Sequence, residues 1–131
     1  MNDEFQLARV YFNLGNAVQR MGHLPEAKAL YDSSMYFCTK LNIDYGVLLI
    51  TINMGEWYLL RKEYIPALEQ LKMAEKKLIS YKLPVEMDEV SRLMSAVYEA
   101  TGDYQAALKY FKAHAAACAP SKTPETASGQ K

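Results

Sequence analysis

The chain has 131 residues, with fifteen basic and fifteen acidic side chains, two cysteines and two histidines. That length suits one domain rather than two, and the charge balance lacks the basic excess that nucleic acid or an anionic membrane surface demands. No stretch approaches the roughly 20 apolar residues that span a bilayer, and the acidic opening Met1-Asn-Asp-Glu-Phe5 has no apolar run behind it to form a signal peptide, so a cytoplasmic protein is expected.

In chain order, the first segment runs from about Asn2 to Arg20. Its apolar residues Val10, Leu14, Ala17 and Val18 fall at i, i+4, i+7 and i+8, the spacing of one helix face. Asn2 or Asp3 can cap it, because a short polar side chain accepts from the exposed N–H groups of a first turn. Met21-Gly22-His23 is a turn, with Gly22 free to take positive φ. Pro25 then opens a second helix, where its missing N–H is no loss. That helix runs to about Lys40 with Ala27, Leu30, Tyr31, Ser34 and Cys38 on one stripe. The loop Leu41-Asn-Ile-Asp44 leads into a third helix from Tyr45 to Leu60, with Asp44 as its expected cap. Arg61-Lys62-Glu63 turns into a fourth, with Pro66 near its start, that runs to about Ser80. Leu83-Pro84 interrupts the chain before a fifth helix from Glu86 to Ala100. Thr101-Gly102-Asp103 is the next turn, with Asp103 as cap, and a sixth helix runs from Tyr104 to about Ala117. Residues 119–131 contain two prolines and no large apolar side chain. They cannot bury enough surface to offset chain entropy and are expected to form a disordered tail or linker.

One interval ties these segments together. Ala27, Ala67 and Ala107 stand 40 residues apart, as do Val10, Ile50 and Val90; Leu14, Met54 and Met94; and Ala17, Trp57 and Val97. A constant offset marks a repeat array. Each repeat is a pair of antiparallel helices, in three repeats of about 3–42, 43–82 and 83–118, and the expected fold is all-α with six helices. Met54, Met94 and Trp57 then read as packing residues, although the edge of the Trp57 ring could still face a groove.

Within each repeat the same residue types recur: Leu14, Gly15, Gly22, Ala27 and Tyr31; Met54, Gly55, Tyr58, Tyr64, Ala67 and Leu71; Tyr98, Gly102, Asp103, Tyr104, Ala107 and Phe111. This pattern resembles the tetratricopeptide repeat, in a variant longer than the usual period of about 34 residues and similar to the long repeats of kinesin light chains and bacterial peptide-sensing regulators. Lys62 stands where the family has a turn glycine, Ser95 where it has a helix glycine, and Val18 where it has an aromatic ring.

The resemblance implies an α-α superhelix whose first helices line a concave groove that takes an extended peptide or a helix of a partner protein. The lining columns are Arg9/Leu49/Glu89, Phe12/Ile52/Arg92, Asn13/Asn53/Leu93, Asn16/Glu56/Ala96 and Arg20/Leu60/Ala100. The ligand-binding residues it implies are Asn13, Asn16, Arg20, Asn53, Glu56 and Arg92. In the family, asparagines at these places hydrogen-bond the ligand backbone, a task that suits an amide because it both donates and accepts. Arg20 and Arg92 would select acidic side chains, and Ile52 with Leu60 an apolar one. Members that hold a terminal carboxylate need basic residues where this chain has Phe12, Glu89 and Leu93, so such a clamp is not expected.

Nothing in the sequence points to catalysis. No His or Cys pair has metal-ligand spacing, and no phosphate-binding glycine loop or nucleophile elbow occurs, so neither an enzyme nor a cofactor is expected. His23 reads as a solvated turn residue and His114 as a partly buried packing residue. Cys38 continues an apolar stripe and reads as a small core residue. Cys118 stands two repeats away, beyond bridging distance. The expected function is a protein-interaction module that binds a peptide or helix, with no nucleic acid and no membrane as partner. The alternative is a self-associating structural or scaffold fragment of a larger sensor or regulator. Leu108, Phe111 and Ala115 on the last helix would support weak homo-oligomer formation, because the ends of such arrays normally carry a polar cap.

Overall fold

The computed structural model describes residues 3–118, and side chains as far as His114. The expected tail at 119–131, the capping residue Asn2 and the side chains of Ala115 and Cys118 lie outside the described residues. The fold is all-α, with helices α1 (Asp3–Arg20), α2 (Leu24–Lys40), α3 (Asp44–Leu60), α4 (Tyr64–Tyr81), α5 (Pro84–Thr101) and α6 (Tyr104–Cys118), and no strand among the described residues. α1 packs on α2, α2 on α3 and α5 on α6, as in an all-α helical repeat. The chain divides into two compact units, residues 1–77 and 78–131, with the boundary in the last turns of α4.

The connections follow a rule finer than the 40-residue repeat. Gly22, Asn42, Lys62, Lys82 and Gly102 all take positive φ, from 57° to 89°, and they stand 20 residues apart. Four of the five connections are closed in one way: His23 N–H donates to Val18 O while Gly22 N–H donates to Gln19 O, and the pairs at 42–43, 62–63 and 102–103 repeat it. These are Schellman motifs, which satisfy the last carbonyls of a helix through one left-handed residue. At Lys82 a single bond to Leu78 O does the same work. Lys62 therefore adopts the turn conformation of the glycine it replaces. Pro84 is the first residue of α5, with Leu83 as its cap. The helix thus begins two residues before the expected Glu86, since a first-turn proline starts a helix rather than delaying it. Asp44 is likewise the first residue of α3 and not its cap, which is Ile43. Asp103 does cap α6, accepting from Ala106 N–H at 3.2 Å.

Within each repeat the first helix presses on the second at one small residue. A Cβ on Gly15 would lie 2.8 Å from the Tyr31 ring, and one on Gly55 would lie 2.6 Å from Leu71 Cδ2. Gly15 and Gly55 thus let α1 lie on α2 and α3 on α4. In the third repeat Ser95 fills this place without loosening it, because its hydroxyl donates to Ala107 O at 2.8 Å and ties α5 to α6. Ala27, Ala67 and Ala107 are all buried, as their shared column requires.

The core of residues 1–77 is built around α2. Ala27, Tyr31 and Cys38 of α2 pack with Ala8 of α1 and with Ile50, Met54 and Trp57 of α3. Trp57 is buried, and its Nε1 donates to Leu24 O at 2.7 Å, which ties α3 to the start of α2. The same columns behave otherwise on α1. Val10 and Leu14, equivalents of Ile50 and Met54, are 43% and 47% exposed, and Ala17, equivalent to Trp57, is exposed too. This corrects the expectation that these columns are core in every repeat. In α3 they meet the helix before it; on α1 they lie on the face turned away from α2 and α3.

In residues 78–131, Leu78, Val90, Leu93, Met94 and Val97 are buried. Tyr98 and Tyr110 stack with centroids 5.8 Å apart, and His114 Nδ1 pairs with Asp88, so His114 is a packing residue that also binds a carboxylate.

Candidate functional site

The helical period places Arg9, Phe12, Asn13, Asn16 and Arg20 on one stripe of α1, and Tyr45, Leu49, Asn53 and Glu56 on one stripe of α3. Both helices flank α2, whose side chains lie between the stripes. The site this makes has an apolar half and a polar half.

The apolar half is a cavity of about 320 Å³. Phe5, Arg9, Phe12 and Asn13 of α1 form one wall, and Tyr45 and Leu49 of α3 form the other. Ser34 and Cys38 of α2 lie at its base, where the Ser34 hydroxyl donates to Ala8 O at 2.7 Å and leaves the floor without an unpaired group. A Cβ on Gly46 would lie 2.6 Å from Cys38 Sγ, so α3 begins hard against α2 and closes the base. Cys38 is a buried free thiol whose pKa is raised by burial, an inert core sulfur rather than a nucleophile. Two polar groups border the cavity. Arg9 donates to Gln6 Oε1 at 2.6 Å and has no carboxylate partner among the described residues. The exposed Asn13 amide has no hydrogen-bond partner among them either.

The polar half gathers around the Tyr31 hydroxyl. Asn53 Nδ2 donates to it at 3.3 Å, and Arg20 Nε donates to Asn16 Oδ1 at 3.4 Å. Burial pushes the Tyr31 pKa up to about 12; the Asn53 hydrogen bond works against that rise, the Glu56 charge adds to it, and the Arg20 charge opposes it. Three of the residues singled out in the sequence, Asn53, Glu56 and Arg20, therefore act on one phenol, and Asn16 joins them through Arg20.

The sixth, Arg92, lies on α5, in the second compact unit, where it forms a two-point pair with Glu89 at 2.6 and 3.2 Å. Its charge already has a partner. Ile52, expected to line the groove, is buried in the packing of α3, whereas Leu60 is half-exposed. The two asparagines paired by the sequence are separated in role: Asn53 holds Tyr31, and Asn13 faces the cavity. Sequence reasoning missed Phe5, Tyr45 and the thiol base of the cavity. Tyr45 and Phe5 are one repeat interval apart, each one helical turn before the residues of the lining columns, and that spacing was the available signal.

Among the described residues, no group of three His, Cys, Asp or Glu side chains could hold a metal ion, and no helix is long and apolar enough to cross a membrane. No protein-family model matches the chain, and no curated protein or solved structure matches it.

Proposed function

We propose that the chain is a cytoplasmic, non-enzymatic protein-interaction module of tetratricopeptide-like helix pairs, and that it captures a peptide or helix of a partner protein on the α1–α3 face. The observation that supports this best is the cavity between the two helices, apolar inside, with Arg9 and Asn13 at its edge, Arg9 bonded to the neutral Gln6 amide rather than to a carboxylate. A cavity of about 320 Å³ is at the small end of ligand pockets and suits one large anchoring side chain. The fitting ligand carries an aromatic or long aliphatic residue to fill it, next to an acidic residue for Arg9, a charge-assisted contact. Asn13 takes a backbone amide of the ligand, donating and accepting together. The polar half around Tyr31 then faces the next turn or residues of the ligand.

The test is a selection from a random displayed peptide library, followed by calorimetry on the synthetic winners. The expected winners share an aromatic or long aliphatic residue beside an acidic one. Leu49→Glu, which puts a charge into the cavity wall, is expected to abolish binding with normal melting. Asn13→Ala is expected to weaken it roughly two- to tenfold, the loss of one net hydrogen bond. Asn53→Ala should instead lower stability by about 0.5–1.5 kcal/mol by releasing the Tyr31 hydroxyl. Winners without an apolar anchor, or full affinity in Leu49→Glu, contradict the reading.

A further inference from the structure

Two helix faces repeat an interface that is satisfied elsewhere in the chain. On α3, Ile50, Met54 and Trp57 are buried in a cluster with Ala27, Tyr31 and Cys38 of α2. The residues one repeat earlier, Val10, Leu14 and Ala17 of α1, have the same register and are exposed. On α6, the residues two repeats after Leu24 and Tyr31 are Tyr104 and Phe111, which are 69% and 56% exposed, whereas Leu24 is half-buried against the cluster and Tyr31 is fully buried. The chain thus displays one half of the α2–α3 contact on α1 and the other half on α6.

We propose that copies of this chain associate end to end, α1 of one copy lying on α6 of the next as α3 lies on α2. This is independent of peptide capture. The sizes match: where Trp57 meets Leu24 inside the chain, the small Ala17 would meet the large Tyr104, and Leu14 would cover Phe111 as Met54 and its neighbours cover Tyr31. Residues 119–131 have no large apolar side chain to cover Phe111 instead. Because the two faces differ, the contact is heterologous and does not stop at a dimer by its own symmetry.

Sedimentation over a concentration series tests this, with two variants at exposed positions. The wild-type average mass is expected to rise with concentration past that of two chains. Leu14→Glu alone and Phe111→Glu alone are each expected to remain monomeric, with unchanged helical circular dichroism. Mixed, they should form a one-to-one heterodimer and nothing larger, since Phe111→Glu keeps the α1 face and Leu14→Glu keeps the α6 face. A wild type that is monomeric at the highest concentration overturns the proposal, and leaves the faces to another protein or to a further segment. A variant that still dimerises alone overturns it as well, because that contact would be symmetric.

Discussion

Tyr31 is where packing and the candidate site meet. Its ring lies against Gly15, and its hydroxyl takes a hydrogen bond from Asn53. Burial first, then the local charges, set its pKa at about 12 against the ordinary 10.0. A folded-state pKa above the unfolded value means that the folded protein keeps the proton longer. The stability tied to it is therefore complete below pH 10 and is lost as the pH rises from 10 towards 12, by roughly 1.4 kcal/mol per pH unit at most. Denaturant melts below and above pH 10 should show the wild type losing more stability than Tyr31→Phe across that window. Parallel losses would mean that the phenol is hydrated in the folded state. The sequence put Tyr31 on the apolar stripe of the second helix, and the contact of its ring with Gly15 came only from the structure. Nor did the sequence show that Asn53 is spent on Tyr31, because a hydrogen bond between side chains 22 residues apart depends on how two helices cross. Repetition made Asn13 and Asn53 look alike, and their neighbours make them different.

At the scale of helices and turns, the chain was largely legible. Six helices follow from apolar spacing, from Pro25 and from the glycines of the turns, and all six lie close to the expected bounds. The misreadings have local causes. Leu83-Pro84 marks a break, but proline at the first position of α5 is a helix start. Lys62, Lys82 and Asn42 occupy left-handed turn positions that composition alone would give to glycine. The backbone bonds that close each turn, two at Asn42 and Lys62 and one at Lys82, outweigh the cost of positive φ for a residue with a Cβ, about 1–2 kcal/mol. Lys62→Gly should recover part of that, offset by the greater freedom of glycine in the unfolded chain. The expected gain is about 0.5–1 kcal/mol, read as an upward shift of the thermal midpoint. A lower midpoint would show that the Lys62 side chain contributes more than its backbone costs.

Over the whole chain, a repeat register describes what each column can do and its neighbours decide whether it does so. Ile50 and Met54 are core because α2 lies before α3. Val10 and Leu14 have the same spacing and remain exposed, which periodicity alone cannot reveal. The groove columns behave alike: Leu49 and Asn13 border a cavity, Ile52 is buried, and Arg92 is already paired with Glu89. The candidate site is thus narrower than the columns suggested, and lies on α1 and α3. The most direct measurement of its function is amide chemical-shift mapping of the labelled protein titrated with a library-selected peptide. The account predicts that the shifts gather between Arg9 and Arg20 on α1 and between Tyr45 and Glu56 on α3, and that they vanish in Leu49→Glu. Shifts confined to the outer face of α2, at Ala29, Asp32 and Tyr36, with α1 and α3 silent, would contradict it.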